Sequence, residues 1–290
     1  RVASIELLRF VSALMVLIWH YQQFYLPYNP FSFSEISQIN IQEQPFYNIL
    51  SFFYNFGNRG VDFFFIISGY VFAYVYLSNK ARSDFKTFFI NRFARLYPLH
   101  LITLLTVLFL QLYSKENFKT DLIYFFNDIY HFILNLLFIS GWGLEKGPSF
   151  NGPVWSVSIE IIIYILFFFS LLNFQKFRFQ KTLLITIIFI LIRKFLSDDY
   201  LILLPKYLLD CAILFYEGVL VYFLAKTIKN QFLLLAFGIL LYFLSIIGNF
   251  KMYIFFPSIL LILIFFENYL NKYLSSIFCF LGNLTYGTYL

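Results

Sequence analysis

The chain contains 290 residues, of which 61% are hydrophobic, 24% aromatic and 12% charged. Soluble domains carry roughly 25% charged residues, so this chain has too little charge to cover a soluble surface. Disorder is excluded as well, because disordered chains are polar and poor in aromatic residues. The composition predicts an integral membrane protein with several spans. No basic cluster in polar sequence accompanies the net charge of +6, so nucleic-acid binding is not expected.

Apolar runs follow one another along the whole chain. A helical membrane span needs roughly 20 mostly apolar residues, and the runs cover 7–24, 61–78, 96–113, 154–173, 182–197, 207–225, 231–248, 252–266 and 277–290. They lack the period-two alternation of barrel strands. The sequence therefore predicts an all-α, polytopic transmembrane bundle of about ten helices, forming one domain over 1–290. We expect the last helix to be incomplete and the chain to be a segment of a longer protein.

The stretch 122–141 is less apolar than the other runs. Asn127, Asp128, His131 and Asn135 interrupt it at helical spacing. This pattern indicates an amphipathic helix at the membrane interface or a re-entrant element.

The charges of the first two loops indicate an orientation. The loop 25–53 contains Glu35 and Glu43 and no basic residue. The segment 79–95 contains five basic residues, namely Lys80, Arg82, Lys86, Arg92 and Arg95. Because cytoplasmic loops carry an excess of Lys and Arg, we expect a cytoplasmic N-terminus and a location in the cytoplasmic membrane.

Several ionisable side chains lie within or beside the apolar runs. Each costs at least about 2.5–3.5 kcal/mol to place in a bilayer, so each is a candidate functional residue. They are Glu6, Arg9, His20, Asp62, His100, Glu160, Asp210 and Glu217. Asp210 and Glu217 are two turns apart, and the sequence does not decide which of them faces a polar cavity. The three histidines are scattered, so no metal site is predicted.

The first apolar run places two of these groups on one helix face. Arg9 and His20 are eleven residues apart, which is about three turns plus 20°, so they share a face at a separation of about 16 Å. Glu6 lies one turn before Arg9 and is positioned to pair with it. The alternative for His20, which follows Trp19, is an interfacial anchor.

The next two motifs suit a phosphate-bearing ligand. Asp62 stands at a helix entrance and is followed by Ser68 and Gly69, small residues that allow close approach of a ligand or of another helix. Arg92 and Arg95, at i and i+3, project from one side of a helix and match phosphate geometry. The alternatives are helix packing for Ser68 and Gly69, and a topology signal or lipid contact for the two arginines.

The segment 151–160 enters a helix from the opposite side. Ser156 and Glu160 share a face at i and i+4, with Tyr164 one turn further and Trp155 at the helix start. A carboxylate in this position can orient an imidazole or accept a proton. The alternative is a carboxylate that is stabilised only by the dipole at the helix N-terminus.

Taken in order, these stretches resemble the acyltransferase 3 family of integral membrane acyltransferases. The matching elements are Arg9 followed by His20, Phe64-Phe65-Ile66-Ile67-Ser68-Gly69, Arg92-Phe93-Ala94-Arg95, and Trp155-Ser156-Val157-Ser158-Ile159-Glu160. The resemblance implies a bundle of about ten helices that transfers an acyl group, often acetyl, from cytoplasmic acyl-CoA to a hydroxyl. The acceptor implied is a cell-surface glycan or its lipid-linked precursor, and the protein works among membrane lipids.

The resemblance and the residue chemistry together suggest roles for the individual residues. We expect His20 to act as general base or to be acylated transiently, with Glu160 and Arg9 completing the catalytic group. Arg92, Arg95, Ser68 and Gly69 are expected to bind the acyl-CoA, while Asp62, Trp155 and Ser156 support the substrate. The alternative function is a glycan exporter or ion-coupled transporter that uses the same buried charges. A non-catalytic scaffold would instead have these charges facing different directions.

Overall fold

A computed structural model describes residues 2–22, 41–78, 84–121, 124–172, 176–195, 206–248 and 251–289. All regular structure in these ranges is helical, which confirms the predicted all-α class. The α-helices are α1 (Ala3–Tyr21), α2 (Tyr47–Phe56), α3 (Gly60–Phe72), α4 (Phe85–Phe118), α5 (Ile129–Leu136), α6 (Trp155–Phe167), α7 (Arg178–Phe195), α8 (Lys206–Thr227), α9 (Gln231–Ile247), α10 (Lys251–Phe266) and α11 (Lys272–Tyr289).

Short non-α turns extend several of these helices into longer rods. The 3-10 turn Gly57–Arg59 joins α2 to α3, and the π-helical segment Ala73–Leu77 continues α3. The resulting rod therefore runs over Tyr47–Leu77. In the same way, a 3-10 turn begins the α6 rod, which runs over Gly152–Leu172. With α2 and α3 counted as one rod, the described helices number ten, as predicted.

Six described helices are long and apolar enough to cross a membrane. They are Ala3–Tyr21, Tyr47–Leu77, Phe85–Phe118, Gly152–Leu172, Lys206–Thr227 and Met252–Tyr269. The chain is therefore an integral membrane protein. At 34 residues, α4 is about 51 Å long and exceeds the hydrocarbon thickness of about 30 Å.

The helix α5 is too short to span a bilayer. Its eight residues rise about 12 Å, well under the hydrocarbon thickness. Asp128 caps it by accepting a hydrogen bond from the backbone N–H of His131 at 2.9 Å. The described part of 122–141 therefore contains one short helix and irregular chain, and residues 122 and 123 lie outside the described ranges.

The first and last helices lie side by side and run in the same direction. Glu6 contacts Gly282, and Arg9 contacts Thr285 one turn further along both helices. The Glu267 carboxylate, just before α11, accepts hydrogen bonds from the backbone N–H groups of Ala3 at 2.9 Å and Ser4 at 2.7 Å. It therefore caps α1 from the far end of the chain. We call the face where α1 begins the proximal face and the face where α1 ends the distal face.

The core centres on the crossing of α3 and α8. A Cβ added at Gly69 would overlap the backbone carbonyl oxygen of Phe215, and one added at Gly218 would overlap that of Ile66. Two glycines thus allow two helix backbones to touch, as small residues do in membrane bundles. Phe65, Ile66 and Phe215 are fully buried around this contact.

Candidate active site

Five helices enclose a cavity of about 150 Å³ in the proximal half of the bundle. Seven of the twelve residues that line it are polar, although the cavity lies inside an apolar bundle. The polar lining residues are Arg9 from α1, Ser68 from α3, Arg92 and Arg95 from α4, Glu160 and Tyr164 from α6, and Thr285 from α11. Five residues singled out in the sequence (Arg9, Ser68, Arg92, Arg95 and Glu160) therefore meet in one place.

Arg9 is held between two helices. Its Nη1 lies 3.2 Å from Oε2 of Glu6, which confirms the predicted pair. Its Nε donates to Oγ1 of Thr285 at 3.0 Å, and that hydroxyl donates to the carbonyl oxygen of Gly282 at 2.7 Å. Thr285 is 2% exposed. The guanidinium group is therefore fixed by both α1 and α11 at the edge of the cavity.

Arg92 is fixed by aromatic side chains. Its guanidinium carbon lies 4.6 Å from the ring centroid of Phe72, a distance at which cation–π attraction is significant. Its Nε and Nη2 donate to the hydroxyl of Tyr76 at 3.2 and 2.6 Å. Phe72 also stacks on Tyr164 at a centroid distance of 4.3 Å. The stack links Arg92 on α4 to α6.

Glu160 is the acidic residue among the cavity lining. It accepts a hydrogen bond from the Tyr164 hydroxyl at 2.8 Å, so the predicted common face of Glu160 and Tyr164 is real. Arg92, Arg95 and Arg9 all attract its carboxylate. Three guanidinium groups against one carboxylate leave the lining with an excess of positive charge. A confined site with such an excess attracts an anion.

His20 lies apart from this cavity, toward the distal face. It is eleven residues along α1 from Arg9, an axial separation of about 16 Å. Its ring is 4.9 Å from that of Trp19, and its buried Nδ1 has no hydrogen-bond partner among the described residues. His20 therefore does not line the cavity that contains Arg9 and Glu160, its predicted catalytic partners.

Four other residues singled out in the sequence also lie outside the cavity lining. Gly69 forms the contact with α8, as the packing alternative held. Asp62 pairs with Arg59 at 3.3 Å near the distal face. The Ser156 hydroxyl donates to the carbonyl of Pro153 at 2.8 Å, and Trp155 packs against Tyr207.

Neither Asp210 nor Glu217 lines the described cavity. Asp210 accepts hydrogen bonds from Arg193 Nε at 2.9 Å and from the Tyr253 hydroxyl at 2.6 Å, tying three helices together. Glu217 is buried in the core, and its Oε2 has no hydrogen-bond partner among the described residues. Both residues lie on α8, seven positions apart, as the helical spacing predicted. Neighbouring helices cover both side chains.

Two features of the cavity were not predicted from the sequence. Thr285 was hidden in the last apolar run, where a hydroxyl one turn after Gly282 was the available signal. The clamp on Arg92 by Phe72 and Tyr76 was hidden because aromatic residues are common throughout this chain. Their importance depends on which ring faces α4, and only the packing decides that.

The fold and the cavity define an integral membrane protein with a buried, positively charged site. A family model described as an acyltransferase domain, Acyl_transf_3, matches residues 2–290, so the chain belongs to the acyltransferase 3 family. No solved structure matches the chain.

Three relatives illustrate the family. The chain is 31% identical to acyltransferase MdmB of Streptomyces mycarofaciens over 38% of this chain and 27% of that protein. It is 30% identical to peptidoglycan O-acetyltransferase OatA of Listeria monocytogenes over 46% of this chain and 22% of that protein. It is 32% identical to the putative peptidoglycan O-acetyltransferase YrhL of Bacillus subtilis over 39% of this chain and 19% of that protein. The matched part of the chain thus spans about a fifth to a quarter of each relative.

Proposed function

We propose that this protein transfers an acetyl group from cytoplasmic acetyl-CoA to a hydroxyl of a cell-envelope glycan, with its N-terminus in the cytoplasm. The convergence of Arg9, Arg92 and Arg95 around one cavity in the proximal half carries the proposal, because CoA is polyanionic. Two of the relatives bear the name peptidoglycan O-acetyltransferase, which favours acetyl as the acyl group and an amino-sugar glycan as the acceptor.

The donor fits the cavity through its phosphates. Arg92 and Arg95 are one turn apart on α4 and both line the cavity. Guanidinium groups bind phosphate through paired hydrogen bonds, and the cation–π clamp on Arg92 reduces the entropy that binding would cost. Ser68 supplies a further hydroxyl to the same lining.

The separation between the cavity and His20 matches the length of the donor. The pantetheine arm of CoA has a backbone of about twelve bonds, equivalent to about four extended residues or roughly 14 Å. Arg9 and His20 are about 16 Å apart along α1. A donor whose phosphates lie at the cavity therefore extends its thioester toward His20 when the arm runs along α1.

His20 serves as the general base in this scheme. A neutral imidazole accepts the proton of the acceptor hydroxyl, whose oxygen attacks the thioester carbonyl carbon. The carbon–sulfur bond breaks, and the CoA thiolate takes the proton to leave as the free thiol. Arg9 and Glu160 position the donor at the cavity end. Asp62, Trp155 and Ser156 shape the distal half, from which the acceptor approaches.

The transfer is tested with radiolabelled acetyl-CoA on membranes containing the protein and native glycan. We expect label in the glycan with the wild type. His20→Ala should lower transfer by about 10²–10⁴-fold, the usual contribution of general acid–base catalysis, while the melting temperature in detergent stays the same. Full glycan labelling by His20→Ala refutes the catalytic assignment. Tyr21→Phe, next in the sequence, is the matched control.

The donor site is tested separately by kinetics. Arg92→Ala and Arg95→Ala should each raise the KM for acetyl-CoA by about ten-fold, the scale of one charge-assisted hydrogen bond. Arg59→Gln, which alters an exposed arginine at the distal face, should leave that KM unchanged. Equal KM values for all three variants would show that the cavity does not bind the donor. Uptake of glycan without labelling would instead indicate a transporter.

A further inference from the structure

The loop 137–151 folds onto the distal face as an ordered platform. The backbone N–H of Gly141 donates to Oγ of Ser158 at 2.7 Å, and Nε1 of Trp142 donates to the Ser158 carbonyl at 3.0 Å. The backbone N–H of Lys146 donates to Nε2 of His131 at 3.1 Å. Because both ends and the middle of the loop are held, the side chains that it carries have fixed places.

Three side chains meet where this loop touches the first residues of α6 and α8. The rings of Trp155 and Tyr207 contact edge to face at a centroid distance of 5.3 Å. The Gly143 backbone and the Glu145 carboxylate both lie close enough to the Tyr207 phenol to interact with it. Tyr207 remains 36% exposed, so part of its ring is accessible.

Glu145 is half-buried in this junction without a cation. The salt bridges among the described residues do not include it. Burial raises the pKa of the Glu145 carboxyl to about 7. Such a carboxyl is satisfied by hydroxyl groups, with which it forms hydrogen bonds in either protonation state.

We propose that Trp155, Tyr207 and Glu145 form a subsite that binds one sugar ring of the acceptor glycan. The accessible aromatic surface suits the apolar C–H face of a sugar, and the carboxyl oxygens suit its hydroxyls. This inference rests on the proposed function, because it assigns the distal face to the acceptor. Trp155 lies five residues from Glu160, about 7.5 Å along α6. The subsite therefore shares a helix with the donor cavity.

The subsite is tested by titrating the purified chain in detergent with chitotetraose, a neutral β-1,4-linked amino-sugar oligosaccharide. Trp142 and Trp155 lie in or beside the junction, so tryptophan fluorescence reports binding. We expect saturable binding by the wild type. Glu145→Gln and Tyr207→Ala should each weaken it by about ten-fold, the scale of one hydrogen bond to a charged group. Glu116→Gln, an exposed acid near the end of α4 that reaches the distal face, is the matched control.

The two proposals fail in different ways. Acetyl-CoA binding and slow thiol release in the absence of glycan report the donor site alone, and Glu145→Gln should leave both unchanged. A wild type that binds no chitotetraose, or variants that bind it as tightly as the wild type does, would overturn the sugar subsite. A response to a tetraalkylammonium ion in place of the sugar would also overturn it. Loss of donor binding by the wild type would instead overturn the proposed function.

Discussion

The contact between Arg9 and Thr285 makes a direct prediction for Thr285→Val. Valine keeps the volume but removes the oxygen that Arg9 Nε binds at 3.0 Å. A hydrogen bond to a charged group contributes about 1.5–3 kcal/mol. The Arg9 side chain is 26% exposed, so water replaces part of the loss. We therefore expect a cost of about 1–1.5 kcal/mol, or roughly a five- to twelve-fold higher KM for acetyl-CoA.

The assay measures initial rates of acetyl transfer over a range of acetyl-CoA concentrations. Thr285→Ser keeps the hydroxyl and should stay within about two-fold of the wild type. Thr106→Val is the matched control, because the Thr106 hydroxyl bonds only the carbonyl of Ile102 in its own helix. An unchanged KM in Thr285→Val, together with intact folding, would refute the argument that α11 positions Arg9.

Three further predictions concern packing, protonation and the donor clamp. Gly69→Ala places a Cβ on the α8 backbone and should cost about 1–3 kcal/mol, lowering the melting temperature, whereas a Cβ at Gly238 stays at least 3.1 Å from its neighbours and should cost less. Glu145 binds more protons folded than unfolded between its ordinary pKa of 4.5 and its raised pKa of about 7, so the free energy of unfolding should fall as the pH rises through that window. Glu145→Gln should flatten this part of the melting-temperature profile. Arg92→Lys removes the paired guanidinium hydrogen bonds to the Tyr76 hydroxyl and should raise the KM for acetyl-CoA by about ten-fold.

Each of these three has an outcome that contradicts it. Equal melting temperatures for the two alanine variants would show that the α3–α8 contact relaxes freely. An identical pH profile in Glu145→Gln would mean that another group titrates in that window. A wild-type KM for acetyl-CoA in Arg92→Lys would mean that a positive charge without the guanidinium fork is enough to bind the donor at this position.

The polar residues of the cavity were predictable because burial in a membrane is expensive. Arg9 and Glu160 stand out in apolar sequence for that reason. Arg92 and Arg95 were identified by their i, i+3 spacing, and helical spacing correctly paired Glu6 with Arg9. The same arithmetic placed His20 about 16 Å from Arg9. It did not indicate that the described cavity surrounds Arg9 and not His20, because that depends on which helices pack against each end of α1.

The remaining features depend on contacts between distant segments. Asp210 and Glu217 are spaced for a common face, yet α7 and α10 provide Arg193 and Tyr253 for Asp210 and leave Glu217 in the core. Gly69 carried both a ligand alternative and a packing alternative. The packing alternative holds because the α8 backbone approaches Gly69 closely, and the sequence alone does not reveal such an approach.

The attachment of α11 to α1 bears on how the protein is made. Thr285, the partner of Arg9, is synthesised 276 residues after Arg9. Glu267, which caps Ala3 and Ser4, also comes late. Throughout insertion of the intervening helices, the first helix carries an arginine and two amide groups that lack these partners. The cavity is thus closed by a helix that leaves the ribosome long after α1, and a chain that stops short of α11 enters the membrane without a complete site.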